Sequence, residues 1–260
     1  MTLSKTNFLT CLDCPKNAWL KIHNPEVYKK YPLSSFDLNI IDTGNKIDEL
    51  ARGLFPDGVL VESRDNTELT KKLMADKIPV IYQPVFATEK FITACDIFVW
   101  NSATNLYDLY EVKSSTASEE NGGRKTDEYL IDIAFQKNLL NELGIEIGTL
   151  NLIRINKEYV RSGDIDLQGL FLIENLTEQV NEILETVKGQ MEGAHELLSK
   201  ETEPAGYCDC IFKGKNSHCT TSKHSNNDLP EYSVHSISRI NKKKLIDLVD
   251  RNILSIHDVP

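Results

Sequence analysis

Two carboxylates and a lysine stand close together in the middle of this chain. Asp96 lies in the stretch ACDIFVW, and Glu111 and Lys113 lie in LYEVKSS. Both stretches have the Val, Ile, Phe and Tyr content of strands. Residues i and i+2 of a strand point to one face, so Glu111 and Lys113 project together. If the two strands pair as a hairpin, Asp96 comes to lie beside Glu111 at one end of the sheet. Two converging carboxylates make an oxygen-rich site suited to Mg²⁺ or Mn²⁺, with the Val112 carbonyl as a further ligand. A neighbouring lysine can orient or deprotonate a water, or neutralise charge developing on a phosphoryl group. An E-x-K triplet alone is usually a solvated ion pair. Here Asp96 one hairpin away adds weight, and so does Gln136, an amide in the otherwise apolar run IDIAFQKNLL that needs polar partners if buried.

The cysteines form a second constellation. Cys11 and Cys14 stand at the front, Cys95 alone in the middle, and Cys208, Cys210 and Cys219 crowd the rear. The rear three occupy a polar loop with few apolar anchors, which points to metal ligation rather than burial as small hydrophobes. A fourth ligand is then needed; Cys14, just before Pro15, is the first choice and Cys11 the alternative. An all-cysteine site suits Zn²⁺ or an iron–sulfur cluster. Cys95 reads as a core residue beside Asp96.

The elements that must position these groups follow from periodicity. A helix capped by Ser4 carries Phe8, Leu9 and Leu12, and Pro15 opens a second whose Trp19 and Leu20 face inward. Residues 24–36 are turn-rich. A helix after Thr43-Gly44 carries Ile47, Leu50, Ala51 and Leu54, and Asp65-Asn66-Thr67 caps another. Pro79–Thr88, Phe91–Trp100 and Leu106–Lys113 read as three consecutive antiparallel strands. A glycine-bearing loop, Ser114–Lys125, leads to a helix over Asp127–Leu143. Strands at Thr149–Ile155 and Leu170–Ile173 precede a long amphipathic helix, Thr177–Leu198. This order predicts an α/β sandwich around a mixed central sheet flanked by helices. The segment after Pro204 is a loop of the kind that needs a staple, and Lys242–Val249 and Ile253–Val259 read as the apolar parts of a small helical unit.

With 260 residues, 40% of them hydrophobic, the chain can bury a sizeable core. The net charge of −10 argues against coating nucleic acid by bulk electrostatics, while leaving room for a local basic cleft. No long apolar run or secretory leader is evident, which predicts a cytoplasmic protein without membrane contact, its thiols reduced or bound to metal.

The stretches LSKTNFLTCLDCPKNAWLKIHNPE, GNKIDELARGLFPDG, ACDIF, LYEVKSST, IAFQ and RINKEYVRSGDIDLQGLF run from residue 3 to about 171, and the rear cysteines extend the set to about 220. In this order they resemble the RecB-like PD-(D/E)XK nucleases of the CRISPR-associated exonuclease type. They resemble still more an uncharacterised bacterial group that carries this module at its N-terminus. The resemblance implies a restriction-endonuclease-like core over residues 1–222, and a metal-dependent deoxyribonuclease acting on single strands or ends, an exonuclease rather than an endonuclease. It implies that Asp96 and Glu111 bind Mg²⁺ or Mn²⁺, that Lys113 assists the water and that Gln136 steadies the site. It implies a [4Fe-4S] cluster on Cys14, Cys208, Cys210 and Cys219. Asp48 stands where those exonucleases usually carry a histidine and is a further candidate metal ligand, with Glu49 beside it. Leu140 stands where they often have a tyrosine. Residues 223–260 resemble a helix–hairpin–helix-like appendage or linker whose Lys242, Lys243 and Lys244 read first as a solvated face. In the bacterial group the module continues into a further domain, so the resemblance implies either a fragment with an additional C-terminal domain or protein partner, or a stand-alone version of the module. Two competing functions are a catalytically weak nucleic-acid-binding module of a larger protein and a zinc-stapled adaptor.

Overall fold

The computed structural model describes residues 1–114 and 122–260, with the side chains of 122–126 and Asn216 excepted. The chain opens with β1 (Leu3–Ser4), α1 (Lys5–Asp13), α2 (Pro15–His23), α3 (Pro25–Lys29) and α4 (Ser35–Arg52). Then come β2 (Val59–Leu60), α5 (Thr67–Ala75), β3 (Val80–Tyr82), β4 (Val85–Ala87), β5 (Phe91–Ala94), β6 (Ile97–Asn101) and β7 (Leu106–Lys113). The rest is α6 (Gly122–Glu142), β8 (Ile147–Ile155), α7 (Leu167–Leu170), β9 (Phe171–Asn175), α8 (Thr177–Leu198), α9 (Ser222–Ser225) and α10 (Lys242–Asp250). Contacts divide it into two compact units, both discontinuous in sequence. The first comprises Met1–Lys5 and Ser35–Met191, the second Thr6–Ser34 and Glu192–Pro260.

The first unit is mixed α/β. Its six-stranded sheet has the order β2-β3-β6-β7-β8-β9, parallel at β2–β3 and β7–β8 and antiparallel elsewhere. Val80, Tyr82, Ile97, Ile153 and Phe171 line one face and pack with Ala51, Ile47 and Leu50 of α4. The alternate residues, Leu109 and Glu111 among them, point the other way, and Glu111 meets Gln136 of α6. A second sheet, β1-β5-β4, takes the first residues of the chain into parallel pairing with β5.

The three expected strands pair as expected, but two of them are broken. Pro79–Thr88 divides into β3 and β4 at Gln83, and Phe91–Trp100 divides into β5 and β6 at Cys95–Asp96. The ribbon stays hydrogen-bonded through the break, Gln83 N–H to the Asp96 carbonyl at 2.9 Å and Cys95 N–H to the Pro84 carbonyl at 3.0 Å. Gln83 has a φ of 53°, and Pro84 has no N–H to donate to a ladder, so the ribbon leaves one sheet and enters the other at this point. Asp96 is therefore a junction residue, immediately before the start of β6.

Other expectations shift at their ends. Ser4 belongs to β1, and α1 buries Phe8 and Cys11 while Leu12 is exposed. The turn-rich stretch contains α3, and α4 begins before Gly44 and runs through it. Asn66 caps α5 by accepting from Leu69 N–H. Of the loop expected at Ser114–Lys125, residues 115–121 lie outside the described residues and 122–125 already belong to α6.

In the second unit, α2 opens with Pro15 after Cys14 and buries Trp19 and Leu20. Trp19 Nε1 donates to the Lys200 carbonyl, and Asn17 Oδ1 accepts from both the backbone N–H and the hydroxyl of Thr221. The cysteine-rich segment is organised into short 3₁₀ turns. Val234, Leu245 and Leu248 form a small core with Ile253 and Val259. Ile253–Val259 is not the expected helix: Ser255 bridges Ser233 in extended conformation, and one 3₁₀ turn follows at Ile256–Asp258. Among the described residues no helix is long and apolar enough to cross a membrane.

Candidate functional sites

The broken ribbon and the end of β7 converge in the first unit. Ile97 pairs with Tyr110, which sets Asp96 opposite Glu111, and Asp96 Oδ2 accepts from Val112 N–H at 2.8 Å. Val112 thus meets Asp96 through its backbone, while its side chain joins the apolar layer under α4. Glu111 is buried at 2% exposure. Its Oε1 accepts from Lys113 Nζ at 2.6 Å and its Oε2 from Gln136 Nε2 at 2.6 Å. Asp48 reaches the same place from α4: Gln83 Nε2 lies 3.4 Å from both Asp48 oxygens and 3.4 Å from Asp96 Oδ1. Glu49 is exposed. The structure therefore brings Asp48, Asp96, Glu111, Lys113 and Gln136 together.

It also adds residues that periodicity did not single out. Lys5 Nζ sits 3.2 Å from both Glu111 oxygens and 2.8 Å from Asp132 Oδ1. Asp132 Oδ2 forms a close ion pair with Lys113. Arg52 pairs with Asp48 one helical turn away and lies over the Tyr82 ring. Asp132 had a signal, since it precedes Gln136 by four residues and so shares its face of an apolar helix. Lys5 had none; only the pairing of β1 with β5 delivers it.

The charges explain one another. Burial, and then the charge of Glu111, push the Asp96 carboxyl up to about 7, against the pull of Lys5 and the Val112 N–H. Burial also raises Asp48, although Arg52 opposes it. Burial would raise Asp132 as well, but the ammonium groups of Lys5 and Lys113 outweigh it and hold that carboxyl well below the usual range. Burial disfavours the charged form of both lysines, yet Asp132 and Glu111 more than compensate, so both stay ammonium ions. The centre holds crowded carboxylates, one of them half-protonated near neutrality, and an orphaned acceptor: the buried Gln136 Oε1 has no hydrogen-bond partner among the described residues. Hard oxygen donors meet here, and the ammonium groups of Lys5 and Lys113 together with Gln136 Nε2 engage both oxygens of Glu111 and of Asp132.

The second unit holds a different donor set. The sulfurs of Cys14, Cys208, Cys210 and Cys219 all lie within 4.8 Å of one another. Cys14, Cys208 and Cys210 are buried. Cys14 beside them lowers the Cys208 thiol and raises those of Cys210 and Cys219. Asn226 fixes Cys208, and Cys219 N–H donates to Cys210 Sγ. Four converging soft donors, three of them buried, can bind a metal ion or a cluster. Cys11 lies outside this group; burial, with Cys14 and Asp209, pushes its thiol up to about 11. Cys95 is fully buried and its thiol is raised by burial, in keeping with a core role.

No family model and no curated protein matches the chain.

Proposed function

We propose that this chain is a metal-dependent nuclease that hydrolyses DNA phosphodiesters, acting on single strands or ends, on a RecB-like PD-(D/E)XK core. The observation that carries the reading is the meeting of Asp48, Asp96 and Glu111 with Lys113 and Gln136 at one sheet end. The mixed sheet with α6 against the Glu111 face supports it. Asp96, Glu111, the Val112 carbonyl and Asp48 would hold Mg²⁺ or Mn²⁺, which supplies a Lewis acid and an activated water. Lys113 keeps its proton, because Glu111 and Asp132 stabilise the ammonium, so its part is to orient and to balance negative charge rather than to act as a base. Gln136 fixes Glu111 through Nε2 and presents Oε1 to a water. Six cysteines with no disulfide among them, four of them grouped as metal ligands, support a reducing, cytoplasmic setting.

At the cysteine site we propose a [4Fe-4S] cluster on Cys14, Cys208, Cys210 and Cys219, on the strength of the resemblance. A single Zn²⁺ is the second reading, favoured by the sulfur spacing: four sulfurs within 4.8 Å already surround one tetrahedral ion, whereas a cubane needs its ligands spread by the irons and sulfides between them. Absorbance near 400 nm and iron and zinc analysis of anaerobically purified protein separate the two.

The nuclease reading is tested by cleavage of fluorescent single-stranded and duplex DNA with Mn²⁺ or Mg²⁺, wild type beside Glu111→Ala. Cleavage that needs the metal and drops by a factor on the order of 10² or more in the variant supports it. A folded wild type that cuts neither substrate overturns it in favour of a binding module or adaptor.

A further inference from the structure

The second unit contains a cleft of about 660 Å³ that the nuclease chemistry does not use and that borders the four-cysteine site at Cys219. Lys30, at the end of α3, borders it together with Tyr31; Lys215, in a 3₁₀ turn, and Lys223, in α9, border it from the cysteine-rich segment. All three lysines are exposed, and none forms an ion pair among the described residues. Glu231 is the one carboxylate among the lining residues. The floor is polar but satisfied within itself. His235 is occupied at both ring nitrogens, by Ser233 Oγ and by the Ile211 carbonyl, and His218 likewise, by Ser222 Oγ and by the Lys213 carbonyl.

The two imidazoles of the floor are thus already engaged within the protein. The charged groups offered to a ligand are chiefly the ammonium groups on the rim, with the half-buried Tyr31 ring beside them. Positive charges spaced around a trough with one aromatic face are the recognition chemistry of a polynucleotide strand, phosphates on the lysines and a base on the ring. The charge distribution agrees. The second unit carries nearly equal numbers of acidic and basic side chains, so the net charge of −10 resides almost wholly in the first. A chain that repels polyanions as a whole would need such a local cleft to hold one.

We propose that this cleft binds single-stranded polynucleotide through Lys30, Lys215, Lys223 and Tyr31, without sequence preference. The proposal rests on the nucleic-acid reading above, but it concerns binding and not cleavage.

The test is fluorescence anisotropy of a labelled oligothymidylate and of its oligouridylate counterpart, without added Mg²⁺ or Mn²⁺, against the full chain as purified with its metal, at several salt concentrations. The Lys30→Gln/Lys215→Gln/Lys223→Gln variant is compared with Lys242→Gln/Lys243→Gln/Lys244→Gln, which removes the same charge from the exposed start of α10. The cleft variant is expected to bind roughly ten- to a hundredfold more weakly and to lose about two units of log–log salt slope, at ~0.7 per strand phosphate released. The α10 variant should lose less than about threefold. Equal losses in both would show bulk charge alone and overturn the site, and so would an unchanged cleft variant or a wild type that binds neither strand. The single substitutions Lys30→Gln and Tyr31→Ala, away from the cysteine ligands, repeat the comparison if the triple variant loses its metal. Binding that depends on the cleft in a protein that cuts nothing would sink the nuclease reading and leave this one standing.

Discussion

Lys5 Nζ stands 3.2 Å from both carboxylate oxygens of Glu111, a residue 106 positions further along the chain. The same ammonium reaches Asp132, so one N-terminal lysine balances two buried carboxylates. Removing it leaves Lys113 as the sole ammonium paired with both. Breaking a buried ion pair from one side costs about 3–5 kcal/mol. Lys5→Met is therefore expected to lower the urea-derived stability by about 3 kcal/mol, with part of the loss recovered in saturating Mn²⁺. A loss below about 1 kcal/mol would mean that Lys113 alone compensates both carboxylates.

The Asp96 carboxyl, pushed up to about 7 from an ordinary 3.8, sets the pH response of the same centre. In the metal-free protein the folded chain holds a proton there that the unfolded chain has released, throughout the window between those values. This group's contribution to stability is complete at low pH and is lost as pH rises from 3.8 to about 7. A divalent cation must displace that proton, so Mn²⁺ affinity should fall as pH drops below about 7, by up to roughly tenfold per unit, and level off above it. Calorimetric titration at several pH values reads this directly, and Asp96→Asn should flatten the profile. An affinity that does not change between pH 5.5 and 8 would exclude Asp96 as a ligand.

The two N-terminal cysteines make a paired comparison. Cys14 belongs to the group of four sulfurs and Cys11 does not. Cys14→Ser and Cys208→Ser should lose bound metal, colour if iron is present, and several kcal/mol of stability, since metal affinity in such sites is folding free energy. Cys11→Ser should keep the full metal content and lose only about 1 kcal/mol of packing. A Cys11→Ser protein that loses its metal would reverse the assignment.

What the sequence made legible follows from the range over which each signal acts. Glu111 and Lys113 were visible because a strand's two-residue period is local, and the bond between them is the direct consequence. Gln136 was visible as a polar residue in an apolar helix. The fourth cysteine was a choice between two residues three apart, which only the packing of α2 against the rear segment decides. Lys5 and Gln83 were not visible. Lys5 depends on a two-residue parallel strand, too short to leave a pattern. Gln83 depends on a break whose only local mark is Pro84, which a strand reading had absorbed into an unbroken run.

Cys14 leaves the ribosome roughly two hundred residues ahead of Cys219, so the four-sulfur site cannot close until most of the chain has been made. The first unit, bounded by Met1–Lys5 and Ser35–Met191, is complete in sequence before Cys208 emerges. If the site takes a metal, its loading is thus a late step in biosynthesis. On that reading, a cell short of the metal would accumulate chains with a finished α/β unit and four reactive thiols in an unclosed second unit, a population that proteases and oxidants meet first.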